Sequence, residues 1–168
     1  MKALILVLAL TLTTSSYAAV KVGLVNIQKI ISEIKEGKAV NNTLEKSFKS
    51  KQKLIKKQED EIRSMQEKLQ KQSKVLSDSA KAKKFAEIQK KVGEARAQTQ
   101  QFQKEIQKQE AELKKPILEK LKKVIDKISK DEKVDLTFEI SSSPVVYAAD
   151  KVDLNSKVIK AYDKEHSK

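Results

Sequence analysis

The sequence predicts an α+β fold that is mostly helical, in which a small β body carries one long antiparallel coiled-coil hairpin. A heptad seam leads outward over residues 44–76, and a second seam returns over residues 85–113. Between them, Ser-Asp-Ser-Ala at residues 77–80 is typical of a turn. Short segments of alternating apolar residues lie before and after this helical region, and such alternation indicates strands.

The two seams form the predicted arm. Folding them about the turn places Ile55 opposite Phe102, with Gln58 facing Thr99 in a polar layer. Such a layer fixes the register but lowers stability, because buried amides pack less well than leucine. No glycine or proline interrupts residues 38–76, so at about 1.5 Å per residue the arm should extend roughly 60 Å. We expect an arm that bends easily.

The amino-terminal part of the body begins with a strand. Its alternation places Val20, Val22 and Leu24 on one face. A helix should follow at once, because Asn26 can accept a backbone hydrogen bond at the helix start. Gly37 predicts a break before the long arm begins.

The carboxy-terminal part of the body follows the returning helix. Pro116 predicts a bend there, because proline cannot donate a helical hydrogen bond. Residues 134–140 alternate as a strand, and residues 141–144 suggest a turn into a second strand at residues 145–148. We therefore expect a β-hairpin, followed by a closing helix that Asn155 caps.

This body is too small to hide its own apolar faces. We expect self-association, in which sheets of several chains join edge to edge and build a shared core. The body comprises residues 19–37 and 117–168, and the arm comprises residues 38–116. The apolar residues predicted to lie in the oligomerisation body are Val20, Val22, Leu24, Val134, Leu136, Phe138 and Ile140.

Residues 1–18 have the pattern of a secretory signal peptide. Lys2 precedes a short apolar run, and small residues follow it, so we expect cleavage between Ala18 and Ala19. The run is too short to span a bilayer, and no later segment is as apolar. The sequence therefore predicts an exported, soluble protein.

The composition excludes several classes of site and suggests an anionic partner. The chain has no cysteine, which excludes disulfides, zinc-thiolate sites and thiol nucleophiles. Its 36 lysine and arginine residues exceed 23 aspartate and glutamate residues, for a net charge of +13, or +12 once Lys2 is removed. Such an excess favours an acidic or polyanionic partner, although lysine-rich helix faces also serve solubility alone.

The sequence contains no motif for catalysis. The single histidine, His166, is the third residue from the end of the sequence, where a precise geometry is hard to hold. Gly23, Gly37 and Gly93 are scattered, so no glycine-rich loop can cradle a phosphate. Acidic residues such as Glu59 lie among lysines, as on a solvated helix face. We expect neither an enzyme nor a cofactor or metal site.

Basic residues crowd the far end of the arm on both sides of the turn. They are either a contact surface for an anionic client or membrane, or a solubilising cap on an exposed tip. The candidate contacts are Lys68, Lys71, Lys74, Lys81, Lys83, Lys84, Lys90, Lys91 and Arg96.

Several segments together resemble the Skp/OmpH family of periplasmic chaperones. They are Lys-Val-Gly-Leu-Val-Asn at residues 21–26, Gly-Lys-Ala at 37–39, Leu-Glu-Lys-Ser-Phe-Lys at 44–49, and the closing segments 134–147 and 152–159. The resemblance implies a homotrimer with a β-barrel body built from three chains and helical tentacles around a cavity. It also implies a periplasmic holdase that keeps unfolded outer-membrane β-barrel proteins from aggregating without ATP. Members are associated with lipopolysaccharide and anionic membranes, but no such site is matched residue by residue.

Two other functions fit parts of the sequence. The arm would also serve as a structural coiled-coil adaptor of the cell envelope, which predicts one folded partner instead of many unfolded ones. A basic coiled coil can bind nucleic acid, but export, 4% aromatic residues and the lack of a base-reading motif argue against it. We therefore expect no nucleic-acid partner.

Overall fold

The computed structural model describes residues 20–142 and 144–166, and the predicted signal peptide lies outside the described residues. The elements in chain order are β1 (Val22–Val25), α1 (Ile27–Glu33), α2 (Lys35–Gln72), α3 (Asp78–Asp131), β2 (Leu136–Glu139), β3 (Lys151–Asp153) and α4 (Asn155–His166). This order confirms the α+β class, mostly helical, with one long hairpin and three short strands.

The arm consists of α2 and α3, which run antiparallel. The 38 residues of α2 give a length of about 57 Å, and α3 continues through Pro116 without interruption. The turn spans residues 73–77, so the predicted turn at residues 77–80 is wrong. Ser77 caps α3 instead, because its side chain accepts a hydrogen bond at 3.3 Å from the backbone N–H of Ala80.

The sheet is parallel, with β1 in the centre between β2 and β3. Leu24 pairs with Phe138 on one side and with Asp153 on the other. The predicted hairpin is therefore wrong. Residues 145–148 form a loop, in which Val146 is 96% exposed, and the third strand begins only at Lys151.

The position of the arm explains the parallel sheet. The end of α3 lies beside the start of β1, where Lys21 Nζ donates to the carbonyl of Glu132 at 2.8 Å. The backbone N–H of Asp135 also donates to the carbonyl of Lys21 at 2.9 Å. The chain thus enters β2 at the same end of the sheet as β1, so the two strands must run in the same direction.

The hydrophobic core lies in the body, where the helices cover one face of the sheet. Its side chains come from β1, from α1, from the near ends of α2 and α3, and from α4. The buried residues of this cluster are Val25, Ile30, Ile31, Ile34, Val40, Ile117, Leu121, Val124, Leu154, Val158 and Tyr162. Each large apolar side chain buried in this way contributes about 1.5–3 kcal/mol.

The junction between α1 and α2 confirms one expectation and corrects another. Asn26 caps α1, as predicted, by accepting from the backbone N–H of Lys29 at 2.8 Å. The break lies at Ile34, whose backbone is extended, and the predicted break at Gly37 is wrong. Gly37 is needed because a Cβ there would lie 1.7 Å from the carbonyl oxygen of Ile31.

Asn155 does not cap α4 as predicted. It is the first residue of that helix and is buried. Its Oδ1 accepts from the backbone N–H of Asn26 at 2.7 Å, and its Nδ2 donates to Asp153 at 2.8 Å. Because the side chain turns back towards β1, Asn155 joins the start of α4 to the start of α1.

Candidate functional site

The positive charge of the protein is concentrated in the arm. Residues 38–116 contain 21 basic and 11 acidic residues, a net charge of +10. Residues 19–37 and 117–168 contain 14 basic and 12 acidic residues, a net charge of +2. An anion near the protein is therefore attracted mainly to the arm.

The arm has two distinct flanks beside its seam. Residues seven positions apart share a face of a coiled-coil helix, so each flank can be identified from its repeats. The glutamine flank carries Gln52, Gln66 and Gln70 of α2 and Gln89, Gln103 and Gln107 of α3. The lysine flank carries Leu54, Lys68 and Lys71 of α2 and Lys84 and Lys91 of α3.

The nine predicted basic contacts surround the distal arm and do not share one face. Lys68, Lys71, Lys84 and Lys91 belong to the lysine flank. Lys83 and Lys90 point outward, Lys74 lies in the turn, Lys81 lies at the seam, and Arg96 lies on the glutamine flank. These residues lie along the distal arm, and the hairpin divides them among several directions.

Most of these basic groups have no carboxylate partner. Lys81 lies 3.2 Å from Asp78, and Lys90 and Lys91 lie 4.0 and 3.9 Å from Glu94. The other six make no ion pair within the part of the chain that the structure describes. Since exposed ion pairs contribute little, nearly all of this charge is free to attract an anion.

A proximal groove opens along the glutamine flank near the body. It encloses about 690 Å³, and its apolar walls come from Phe48, Ile55, Phe102 and Ile106. Phe48 is 56% exposed although the heptad pattern places it in the seam. The predicted pairing of Ile55 with Phe102 agrees with their positions in this groove.

Lys51 closes one side of the proximal groove. Its Nζ lies 4.4 Å from the centre of the Phe102 ring and is hydrogen-bonded to Glu105. The hydrogen bond from Lys51, with another from Gln101, lowers the pKa of Glu105. The lysine therefore packs its chain in the seam and keeps its charge paired, as a partly buried ammonium requires.

A distal groove opens on the same flank near the turn. Leu69, Phe85 and Ile88 form its apolar part, and it encloses about 560 Å³. Phe85 is 57% exposed, whereas Ile88 is buried. The sequence predicted these residues only as seam positions, and nothing in the heptad pattern distinguishes a filled layer from an open one.

The middle of the arm contains the predicted polar layer. Gln58 donates to Gln98, one residue away from the predicted partner Thr99. In the described residues, the Oε1 atom of Gln58 is buried without a hydrogen-bond partner. This layer is consequently a weak point of the seam, because an unpaired buried amide oxygen costs free energy.

A charged cluster that the sequence analysis missed joins three helices at the root of the arm. Glu36 accepts from Lys120 at 2.8 Å and from the hydroxyl of Tyr162 at 2.6 Å. Burial alone would raise the pKa of Glu36, but these two hydrogen bonds, together with the positive charge of Lys120 and the nearby His166, lower that pKa overall. Burial and the neighbouring carboxylate raise the pKa of Tyr162. Only the tertiary structure brings these distant residues together.

The sheet presents an open apolar face opposite the core. Val20, Leu136 and Phe138 are 56%, 53% and 44% exposed on the single chain. Val22 and Leu24 are half-buried on the same face, because β1 buries only its alternate residues. The predicted oligomerisation residues Val134 and Ile140 are also half-buried, and Val134 packs against the core of its own chain.

Comparisons with known proteins agree with this architecture. The family model described as "Outer membrane protein (OmpH-like)" matches residues 21–162. The crystal structure of a candidate outer membrane chaperone (OmpH-like) from Caulobacter crescentus CB15 superimposes with a TM-score of 0.69. The two chains are 17% identical, and the match covers 88% of this chain and 86% of the other. No curated protein matches the sequence.

Among the described helices, none combines the length and apolar composition that crossing a membrane would require.

Proposed function

The chain belongs to the OmpH-like family, and from this premise we propose that it is an ATP-independent holdase chaperone of the periplasm. In this proposal, basic helical arms enclose unfolded outer-membrane β-barrel proteins and prevent their aggregation before membrane insertion. The observation that carries the proposal is an arm of net charge +10 whose grooves leave aromatic side chains exposed. Such an arm can attract a client over distance and hold it by many weak contacts.

We further propose that the chain acts as a homotrimer. The open sheet face supports self-association, since exposed apolar strands seldom remain uncovered in a soluble protein. The number of copies rests on the family resemblance alone.

The proposed function includes export to the periplasm by a cleaved signal peptide, and we propose that the protein catalyses no reaction. Lipopolysaccharide and anionic membranes remain further proposed partners.

The holdase proposal is tested by suppression of aggregation. The mature chain, residues 19–168, is mixed with an outer-membrane β-barrel protein that is diluted from urea, and light scattering is followed. We expect the scattering to fall at low salt and to recover as salt screens the arm charge. Undiminished scattering at every chaperone concentration would refute the proposal. A pull-down that returns one folded envelope partner in place of many unfolded ones would favour the adaptor.

A matched pair of variants tests whether the arm charge acts. In the arm variant, glutamine replaces Lys68, Lys71 and Lys84. In the control, glutamine replaces the body residues Lys123, Lys130 and Lys160, which are likewise exposed. Both variants lose the same net charge, so only a role of the arm predicts weaker suppression by the first variant alone.

The self-association proposal is tested by sedimentation. Phe138→Asp places a charge on the open sheet face and should yield a smaller species than the wild type. Leu54→Asp is the control, because Leu54 is similarly exposed but lies on the arm. A wild-type chain that sediments as a monomer would refute the proposal.

A further inference from the structure

The proximal and distal grooves lie on the same side of the hairpin. Both are lined by residues of the glutamine flank from α2 and from α3. Each groove also presents an exposed phenylalanine at its edge, Phe48 in one and Phe85 in the other. A single ligand that runs along this flank can therefore reach both grooves.

The distance between the grooves corresponds to the length of a short extended peptide. Their centres are separated by about 18 residues along each helix, which corresponds to about 27 Å. An extended strand rises about 3.4 Å per residue, so eight residues span the same distance. Because side chains of a strand alternate, two residues with this even spacing point to the same side.

The surface between the grooves carries the only two arginines of the chain, Arg63 and Arg96. Both are exposed on the glutamine flank, since Arg63 lies seven residues before Gln70 and Arg96 lies seven residues before Gln103. Neither forms an ion pair with any residue that the structure describes. A guanidinium group matches a carboxylate in geometry and charge. The surface between the two grooves therefore favours an acidic side chain of the ligand.

We propose that the glutamine flank binds one extended segment of an unfolded client, with two aromatic side chains eight residues apart and an acidic side chain midway between them. The aromatic groups occupy the two grooves, and the carboxylate lies on Arg63 and Arg96. Glutamine side chains along the flank donate and accept hydrogen bonds with the client backbone. This inference rests on the proposed holdase function and specifies the ligand of the same arm.

Outer-membrane strands have the features that this flank would recognise. They are about 9–11 residues long, and their side chains alternate between lipid and lumen. Aromatic girdles stand at both edges of an apolar band about 25 Å tall. Aromatic residues at the two ends of a nine-residue strand are eight residues apart, or about 27 Å along the strand, which matches the separation of the two grooves.

Peptide binding tests the spacing directly. Three eleven-residue peptides, otherwise of serine and threonine, are compared. The first has tryptophan at positions 2 and 10 with glutamate at position 6, and the second exchanges positions 6 and 10 so that the tryptophans are four residues apart. The third has glutamine in place of the glutamate of the first. Because the protein has no tryptophan, the fluorescence of the peptide reports binding.

We expect the eight-residue spacing to lower the Kd at least about tenfold relative to the four-residue spacing, because both grooves then bind one molecule. Phe48→Ala and Phe85→Ala should each remove most of the preference for the eight-residue spacing. Each should change the Kd of the peptide with the four-residue spacing about twofold or less, because one groove remains. Leu54→Ala is the matched control, because this exposed residue of the lysine flank lines neither groove. It should preserve the preference.

The arginines are tested in the same assay. Combined Arg63→Gln and Arg96→Gln should raise the Kd of the glutamate peptide several-fold and leave that of the glutamine peptide nearly unchanged. Lys68→Gln and Lys91→Gln remove the same charge from the lysine flank and should raise the Kd of the glutamate peptide much less than the arginine variant does. A change of equal size for both peptides in the arginine variant would refute the role of the arginines.

The same protein preparation distinguishes the failure of this inference from failure of the holdase proposal. Equal affinities for the two tryptophan spacings, together with intact suppression of client aggregation, would overturn the two-groove site and leave the holdase function standing. Loss of suppression would count against the holdase function itself. An equal effect of Leu54→Ala and Phe48→Ala would also overturn the site.

Discussion

The body and the arm of this protein achieve stability in different ways. The body buries ten residues of one apolar cluster, to which the arm adds only Val40 at its root, and the body carries little net charge. Beyond Val40 the arm has a single buried apolar residue in the described chain, Ile88, and its other seam residues remain partly exposed. The comparison indicates that the body supplies the cohesion, while the arm retains the apolar surface and charge with which to contact other molecules.

The polar contacts of the two regions also differ, because those of the body join distant elements and those of the arm are mostly local. In the body, Glu36 and Asn155 connect elements that are far apart in the sequence. In the arm, most ion pairs join residues three or four positions apart on one helix, such as Lys49 with Glu45. Such pairs support a helix but do little to fix one helix against another. We therefore expect the arm to bend more readily than the body.

Truncating one leucine in each region includes the largest single loss of stability that we expect. Leu121→Ala removes a side chain that is 1% exposed and should lower the free energy of unfolding by about 3 kcal/mol. Leu69→Ala removes a half-buried arm residue and should cost about 1 kcal/mol, because less area is buried. Urea unfolding followed by circular dichroism at one fixed protein concentration measures both values. Equal losses would break the comparison.

Adding one methyl group to a glycine should have opposite effects in the two regions. Gly37→Ala forces a methyl group against the carbonyl of Ile31 and should cost at least about 2 kcal/mol, because the backbone has to move. Gly93→Ala meets no atom within 4 Å in the exposed arm. Since alanine is the better helix former, this change should raise stability by about 1 kcal/mol. Thermal unfolding of the two variants against the wild type gives both signs.

The smallest expected effect concerns pH. Glu139 accepts hydrogen bonds from Ser141, Ser142 and Ile27, and those from the Ser141 side chain contribute most to lowering its pKa to about 2. Its usual value is 4.5, so the carboxylate stabilises the body above that pH and loses this effect as the pH falls towards 2.

The corresponding variants sharpen the same comparison between body and arm. Glu139→Gln should be less stable than the wild type at neutral pH, and the gap should shrink as the pH falls from about 4.5 towards 2. Glu45→Gln is the arm control, since Lys49 lowers the pKa of Glu45 in an exposed pair. Its effect on the pH dependence should be smaller because solvent screens the pair. Urea unfolding midpoints of both variants and the wild type, measured across this pH range, compare the two effects. An equal pH dependence of the two variants would contradict the comparison.

Local patterns predicted much of this molecule. The seven-residue repeat placed the two long helices and paired Ile55 with Phe102, and Asn26 marked the start of α1. These features depend on residues close together in the sequence or on a regular period, so a pattern can reveal them. The grooves could not be predicted in the same way. Whether Phe48 and Phe85 fill the seam or lie open depends on how closely the helices approach.

By itself the sequence determined the helical arm, its charge and the existence of a small β body, because periodicity and composition fix these properties locally. Only the tertiary structure decided the direction of the strands, the cluster of Glu36, Lys120 and Tyr162, and the two flanks of the arm. The physical reason is that the direction of a strand depends on where the chain enters the sheet. The parallel sheet follows from where α3 returns the chain to the start of β1, and alternation within a strand carries no information about its partner or direction.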